Sequence, residues 1–84
     1  MNKLIFDEIM KLPSDKEGSV MASIGNLSKY ADVKLLTNEK NELYYQADVN
    51  DILESEMDEE DMIGLRDVGW EYSQDKKSVV YKLS

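Results

Sequence analysis

The chain has 84 residues, 18 acidic against 10 basic, and contains neither cysteine nor histidine. Those two absences exclude disulfides, thiolate nucleophiles, imidazole general bases and zinc sites built on Cys or His. A net charge of −8 opposes direct attraction to nucleic acid or to an anionic membrane and points toward a basic partner.

The length fits one domain, residues 1–84, whose folding buries roughly 60–65% of the unfolded surface. A hydrophobic fraction of 42% is close to the globular norm. A small secreted domain would usually carry disulfide staples, so the cytoplasm is the expected location. The opening MNKLIFDEIMKLP has an apolar run of only three residues before Asp7, too short for a signal peptide. No stretch approaches the ~18 apolar residues of a membrane span.

In chain order, Leu4, Ile5, Ile9 and Leu12 recur at helical spacing, and Pro13 stops the run, which predicts a helix over 2–12. Ser14 or Asp15 is the expected cap of a second helix, along which Val20, Met21, Ile24, Leu27 and Tyr30 keep the three-to-four period. Gly18 and Gly25 weaken that helix by about 1 kcal/mol each relative to Ala. Two alternating runs, 33–37 and 42–47, flank Asn38-Glu39-Lys40-Asn41 and read as a hairpin.

The stretch DVNDILESEMDEED, residues 48–61, holds eight carboxylates and no basic residue. Residues 48–69 carry a net −8, so the whole formal charge of the chain sits there. Asp48 is a good N-cap, with Asp51 at the third helical position. Val49, Ile52, Leu53 and Met57 share one face, but Met62, Leu65 and Val68 fall on another. Asp58 offers a second cap, with Glu59, Glu60 and Asp61 in the turn where carboxylates favour the helix dipole. Two short helices meeting near Asp58 fit this slip in phase; a single bent helix is the alternative. Gly69 closes the second helix. Residues 70–74 and 78–83 then alternate around Asp75-Lys76-Lys77, giving a second hairpin. Trp70 is assigned to the core, where its indole N–H needs an acceptor.

The two halves echo one another: Ile24-Gly25 leads to Asp32-Val33 and a hairpin, and Ile63-Gly64 leads to Asp67-Val68 and a hairpin. The expected fold is α+β, with elements ordered α-α-ββ-α-α-ββ and a four-stranded antiparallel sheet carrying helices on one face.

Several kinds of chemistry are weighed against these residues. An EF-hand loop needs Gly at its sixth position, but that position is Leu53 counting from Asp48 and Glu56 counting from Asp51. No metal site or cofactor is therefore expected. A catalytic carboxylate pair needs an apolar pocket to part the two pKa values, and nothing flanking Glu56 and Glu60 supplies one. No phosphate-binding or nucleophile-elbow motif occurs. The chain reads as a non-enzyme.

Leu65-Arg66-Asp67-Val68-Gly69-Trp70, followed by a charged turn and Val79-Val80-Tyr81-Lys82-Leu83, resembles the recognition-helix end and wing of ArsR-type and MarR-type repressors. The resemblance covers about the last twenty residues and implies a winged-helix-like regulatory or assembly protein. Where those families present Arg, Ser and Thr to phosphates, this chain has Asp58, Glu59, Glu60 and Asp61, which repel duplex DNA.

The charge density supports a different role. Fourteen helical residues span roughly 21 Å, so eight carboxylates give about one charge per 2.6 Å, near the density of duplex DNA. In size and charge the chain is similar to the small acidic proteins of phages and mobile elements that mimic nucleic acid and inhibit the proteins that bind it. The expected function is thus a protein-binding module, an inhibitor or nucleic-acid-mimicking competitor, docking on a basic protein through Asp48, Asp51, Glu54, Glu56, Asp58, Glu59, Glu60 and Asp61. Tyr44 is expected to be exposed and to serve as an anchor. The alternative is a winged-helix-like protein that oligomerises through its helical face, which requires Ile52, Leu53 and Met57 to lie bare.

Overall fold

A computed structural model describes residues 1–83. Four helices, α1 (Lys3–Met10), α2 (Val20–Leu27), α3 (Val49–Glu54) and α4 (Glu59–Val68), accompany four strands, β1 (Lys34–Thr37), β2 (Leu43–Asp48), β3 (Glu71–Ser73) and β4 (Ser78–Lys82). The strands form one antiparallel sheet in the order β1-β2-β4-β3. This is the α+β architecture that the alternation and the caps predict. No helix among the described residues is long and apolar enough to cross a membrane.

Each hairpin is a local sequence event, and the sheet is the joining of the two. In the first, the Asn38 side chain accepts from Lys40 N and Glu42 N at 2.9 and 3.0 Å, and Asn41 takes a positive φ of 62°, a conformation Asn tolerates. The second closes at Lys77, with φ 51°. β2 and β4 then pair centrally, placing Ala47 opposite Val79 and Tyr45 opposite Tyr81.

That register divides the sheet into two faces. Ala47, Val79, Tyr45, Tyr81 and Tyr72 point to the helices and pack in the main core or against it. Tyr44, Gln46, Val80 and Lys82 point away. Val80 is buried but lies outside the main core, as its position on the far face requires. α4 packs between α1 and α2, while α3 rests on β2 and β4. Phe6, Leu27, Ile52, Met62, Leu65, Trp70 and Val79 are fully buried. Phe6 meets Tyr72 edge-on, with ring centroids 5.4 Å apart.

The start of α2 departs from expectation. Its cap is Ser19, whose Oγ accepts from Ala22 N at 3.2 Å, rather than Ser14 or Asp15. Residues 13–19 cannot continue a helix, because Lys16 and Gly18 take φ values of 54° and 101°. Ser14 serves a different helix end: its Oγ donates to Asp67 O at 3.0 Å, and Glu17 N donates to the same carbonyl at 3.1 Å. Late carbonyls of a helix lack partners within it, so the connection between α1 and α2 is strapped across the end of α4. Arg66 ties the other side, with Nε donating to Leu12 O at 2.7 Å and Nη1 to Trp70 O at 2.8 Å.

Candidate partner-binding surface

The acidic stretch forms two helices. Asp48 caps α3, its Oδ1 accepting from Asn50 N at 2.7 Å. Asp58 caps α4, its Oδ1 accepting from Asp61 N at 2.9 Å. Between them, Ser55 Oγ donates to Ile52 O at 2.6 Å and accepts from Met57 N at 3.2 Å. The Met1 ammonium donates to Leu53 O and Ser55 O at 2.8 and 3.2 Å, placing a cation where the helix dipole favours one. The straight rod of about 21 Å is therefore not formed. Nor are Glu56 and Glu60 neighbours along one helix, because Glu56 lies in the connection.

All eight carboxylates are exposed except Asp61, which is half-buried. Asp48 and Asp58 use one oxygen each as caps, and Asp61 accepts the Tyr30 hydroxyl at 3.0 Å. Asp51, Glu54, Glu56, Glu59 and Glu60 make no hydrogen bond or ion pair among the described residues. The one ion pair found there is Lys3–Asp7, within α1. The acidic stretch is thus not neutralised by the lysines of its own fold.

Tyr30 organises part of this surface, and nothing in its local sequence marks it out. The hydrogen bond to Asp61 holds its phenol above the usual value near 10, assisted by burial and by the negative charges of Asp61, Asp58 and Glu56. Asp51 joins Lys29, Tyr30 and Asp32 around an adjacent open hollow of about 480 Å³. Glu56, Asp58 and Asp61 act on the Tyr30 phenol from one side, and Asp51 lies with Lys29 in the hollow beside it. The spacing of these residues supplies no metal cage: no group of three or more carboxylates suited to a metal ion occurs among the described residues.

Tyr44 does not join them. It is half-buried on the face of the sheet turned away from the helices, with the Lys76 ammonium 3.9 Å from its ring centroid. The expectation of an exposed anchor is corrected: alternation does send Tyr44 to the face opposite Tyr45, but the second hairpin brings Lys76 over its ring and leaves it half-buried. Trp70 is fully buried, and its Nε1 donates to Ser23 Oγ at 3.0 Å.

The apolar side of α3 is occupied within the chain. Ile52 is 0% exposed and Met57 3%, and Leu53 is partly buried against the same core. Oligomerisation through those residues lacks the bare face it requires. The 70–83 hairpin is not a free wing either, since β4 is an interior strand of the sheet. Arg66 is held by two backbone carbonyls and does not reach outward as a phosphate ligand would. No family model, no curated protein and no solved structure matches the chain significantly.

Proposed function

We propose that this chain is a non-enzymatic acidic binding module that docks on a basic protein and competes there with nucleic acid, as an inhibitor of the kind phages and mobile elements encode. The observation that carries the reading is the set of five carboxylates, Asp51, Glu54, Glu56, Glu59 and Glu60, left without hydrogen bonds or ion pairs among the described residues and exposed to solvent. Unpaired, solvent-exposed charges steer a cation-rich partner and give up no internal ion pair to meet it. Caps at Asp48 and Asp58 and the Tyr30–Asp61 bond hold the backbone that bears them. Asp48, Asp58 and Asp61 add charge to this surface while serving the fold.

The test is competition. The protein is immobilised and used to recover binding proteins from its native host, which are identified by mass spectrometry. Each recovered protein is then challenged with a labelled duplex oligonucleotide. The reading expects basic nucleic-acid-binding proteins to be recovered and their oligonucleotide to be displaced. Recovery of neutral or acidic proteins alone, with no displacement, would overturn it.

A further inference from the structure

We propose that the open edge of the sheet, along β1, is where a second copy of this chain pairs, strand to strand and antiparallel, about a two-fold axis at Leu35. Nothing in this pairing depends on the acidic docking surface proposed above.

Among the described residues β1 has a strand, β2, on one side only. Asn38 N donates to Glu42 O at 3.1 Å, and Leu83 N donates to Leu43 O at 3.1 Å. Those two bonds set the phase of the ladder, because bonded and non-bonded pairs alternate along an antiparallel pair. Lys34 and Leu36 therefore turn their main-chain groups toward β2, and Leu35 and Thr37 turn theirs outward. Leu35 lies opposite Tyr45 and so points to the helix side, yet it is 52% exposed. The helix layer does not cover this edge.

The edge thus offers outward main-chain donors and acceptors beside an apolar side chain, the features that receive another strand. β1 is itself the matching strand. With Leu35 of one copy opposite Leu35 of the other, Val33 stands opposite Thr37, and each such pair exchanges two main-chain hydrogen bonds. On the helix side the row Tyr81, Tyr45, Leu35 continues into the same row of the other copy. On the far side Lys34, the one charge in β1, faces Leu36 of the other copy. A slip of two residues would set Lys34 against Lys34, so like charge selects the register centred on Leu35.

The charge of the chain does not oppose contact at this edge. Residues 33–47 carry two lysines and two glutamates, whereas the net −8 resides in 48–69. Because the axis runs perpendicular to the sheet, both helix layers lie on one side of the joined sheet, and the two acidic stretches face the same way.

The experiment is sedimentation velocity across a concentration series, with amide hydrogen exchange followed by NMR on the same samples. The native chain should pass from 9.7 kDa to twice that mass, with a dissociation constant on the order of 100 µM, as suits an interface below standard size. Exchange at the Leu35 and Thr37 amides should slow as concentration rises, while the Leu36 amide stays slow throughout. Leu35→Lys sets two like charges together at the axis, and Thr37→Pro removes an outward N–H that the fold leaves unused. Each should weaken the dimer by roughly tenfold or more, with thermal melts verifying that both variants are folded. Leu4→Lys, at a position 73% exposed on α1, should leave the dimer unchanged. Added salt should tighten it, since each copy carries −8. A chain that stays at 9.7 kDa throughout, a dimer that survives both edge variants, or one lost in Leu4→Lys would overturn the proposal. Masses growing past the dimer would overturn it too, because a two-fold contact closes on itself.

Discussion

The indole N–H of Trp70 donates to the hydroxyl of Ser23 at 3.0 Å, joining residues 47 positions apart in the middle of the core. Ser23 in turn donates to Val20 O at 2.6 Å, so one hydroxyl satisfies the indole and reinforces the first turn of α2. Replacing Ser23 by Ala strands a buried donor, which costs about 1–3 kcal/mol. In a domain of this size that lowers the melting temperature by roughly 4–8 °C for each kcal/mol. Calorimetry checks the shift, and a change below about half a kcal/mol would mean the indole finds another acceptor.

Asp58 has a structural part that its charge alone does not reveal. Its Oδ1 caps α4, so Asp58→Ala should lose about 1 kcal/mol by urea unfolding. Asp58→Asn should retain most of it, because an amide oxygen accepts the same bond. Glu59→Gln, next door and capping nothing, gives up a favourable contact with the helix dipole but relieves repulsion among the acids, so stability should change by less than about 0.5 kcal/mol. Equal losses in all three would show that charge, not capping, governs this turn.

A pH dependence follows from Tyr30. Its pKa lies above the ordinary value because it donates to Asp61, is partly buried and faces the charges of Asp61, Asp58 and Glu56. The folded state thus holds the phenolic proton more tightly than the unfolded chain does. Its contribution is complete below the unfolded pKa near 10 and is lost as pH rises through the higher folded value. Spectrophotometric titration, with Tyr30→Phe to assign the signal among the five tyrosines, should show the Tyr30 phenol ionising late. Asp61→Asn should move that ionisation toward the ordinary range. An unchanged titration in Asp61→Asn would refute the assigned cause.

Salt should stabilise the fold. Lys3–Asp7 is the one ion pair among the described residues, and exposed pairs contribute little. The unpaired carboxylates repel one another, and raising the ionic strength shortens the reach of that repulsion. The melting temperature should rise by a few degrees between low and moderate salt. A fall would mean that attractive pairing with the lysines outweighs the repulsion. Helical repulsion at i,i+4 between Glu56 and Glu60 plays no part in this, because the helix breaks between them.

The elements that could be read from the sequence are those with local causes. Asn38 and its turn, the change of hydrophobic phase across Asp58, and Gly69 with φ 124° each act within a few residues, and the two hairpins and two short helices follow from them. What escaped involved partners distant in sequence. Ser14 has the chemistry of a cap, but the carbonyl it serves belongs to Asp67 across the fold. Tyr30 looks like the last apolar position of α2, and only the docking of α4 brings Asp61 to its hydroxyl. Alternation puts Tyr44 on the face opposite Tyr45, but it does not say that Lys76 returns to cover it from the other hairpin. The acidic stretch was legible as a charge concentration broken near Asp58; the bond from Tyr30 to Asp61 was not, because it joins residues 31 positions apart.

The most direct test of the acidic surface is the salt dependence of binding to a basic nucleic-acid-binding protein recovered from the host, measured for the native chain and for one variant. That variant carries Asp51→Asn, Glu54→Gln, Glu56→Gln, Glu59→Gln and Glu60→Gln, and leaves Asp48, Asp58 and Asp61 in place. The native chain should lose affinity steeply as salt rises, and the variant should bind weakly at every salt concentration while melting no lower than the native chain. Undiminished binding by the folded variant, or native binding indifferent to salt, would contradict the claim that these unpaired carboxylates are the working surface.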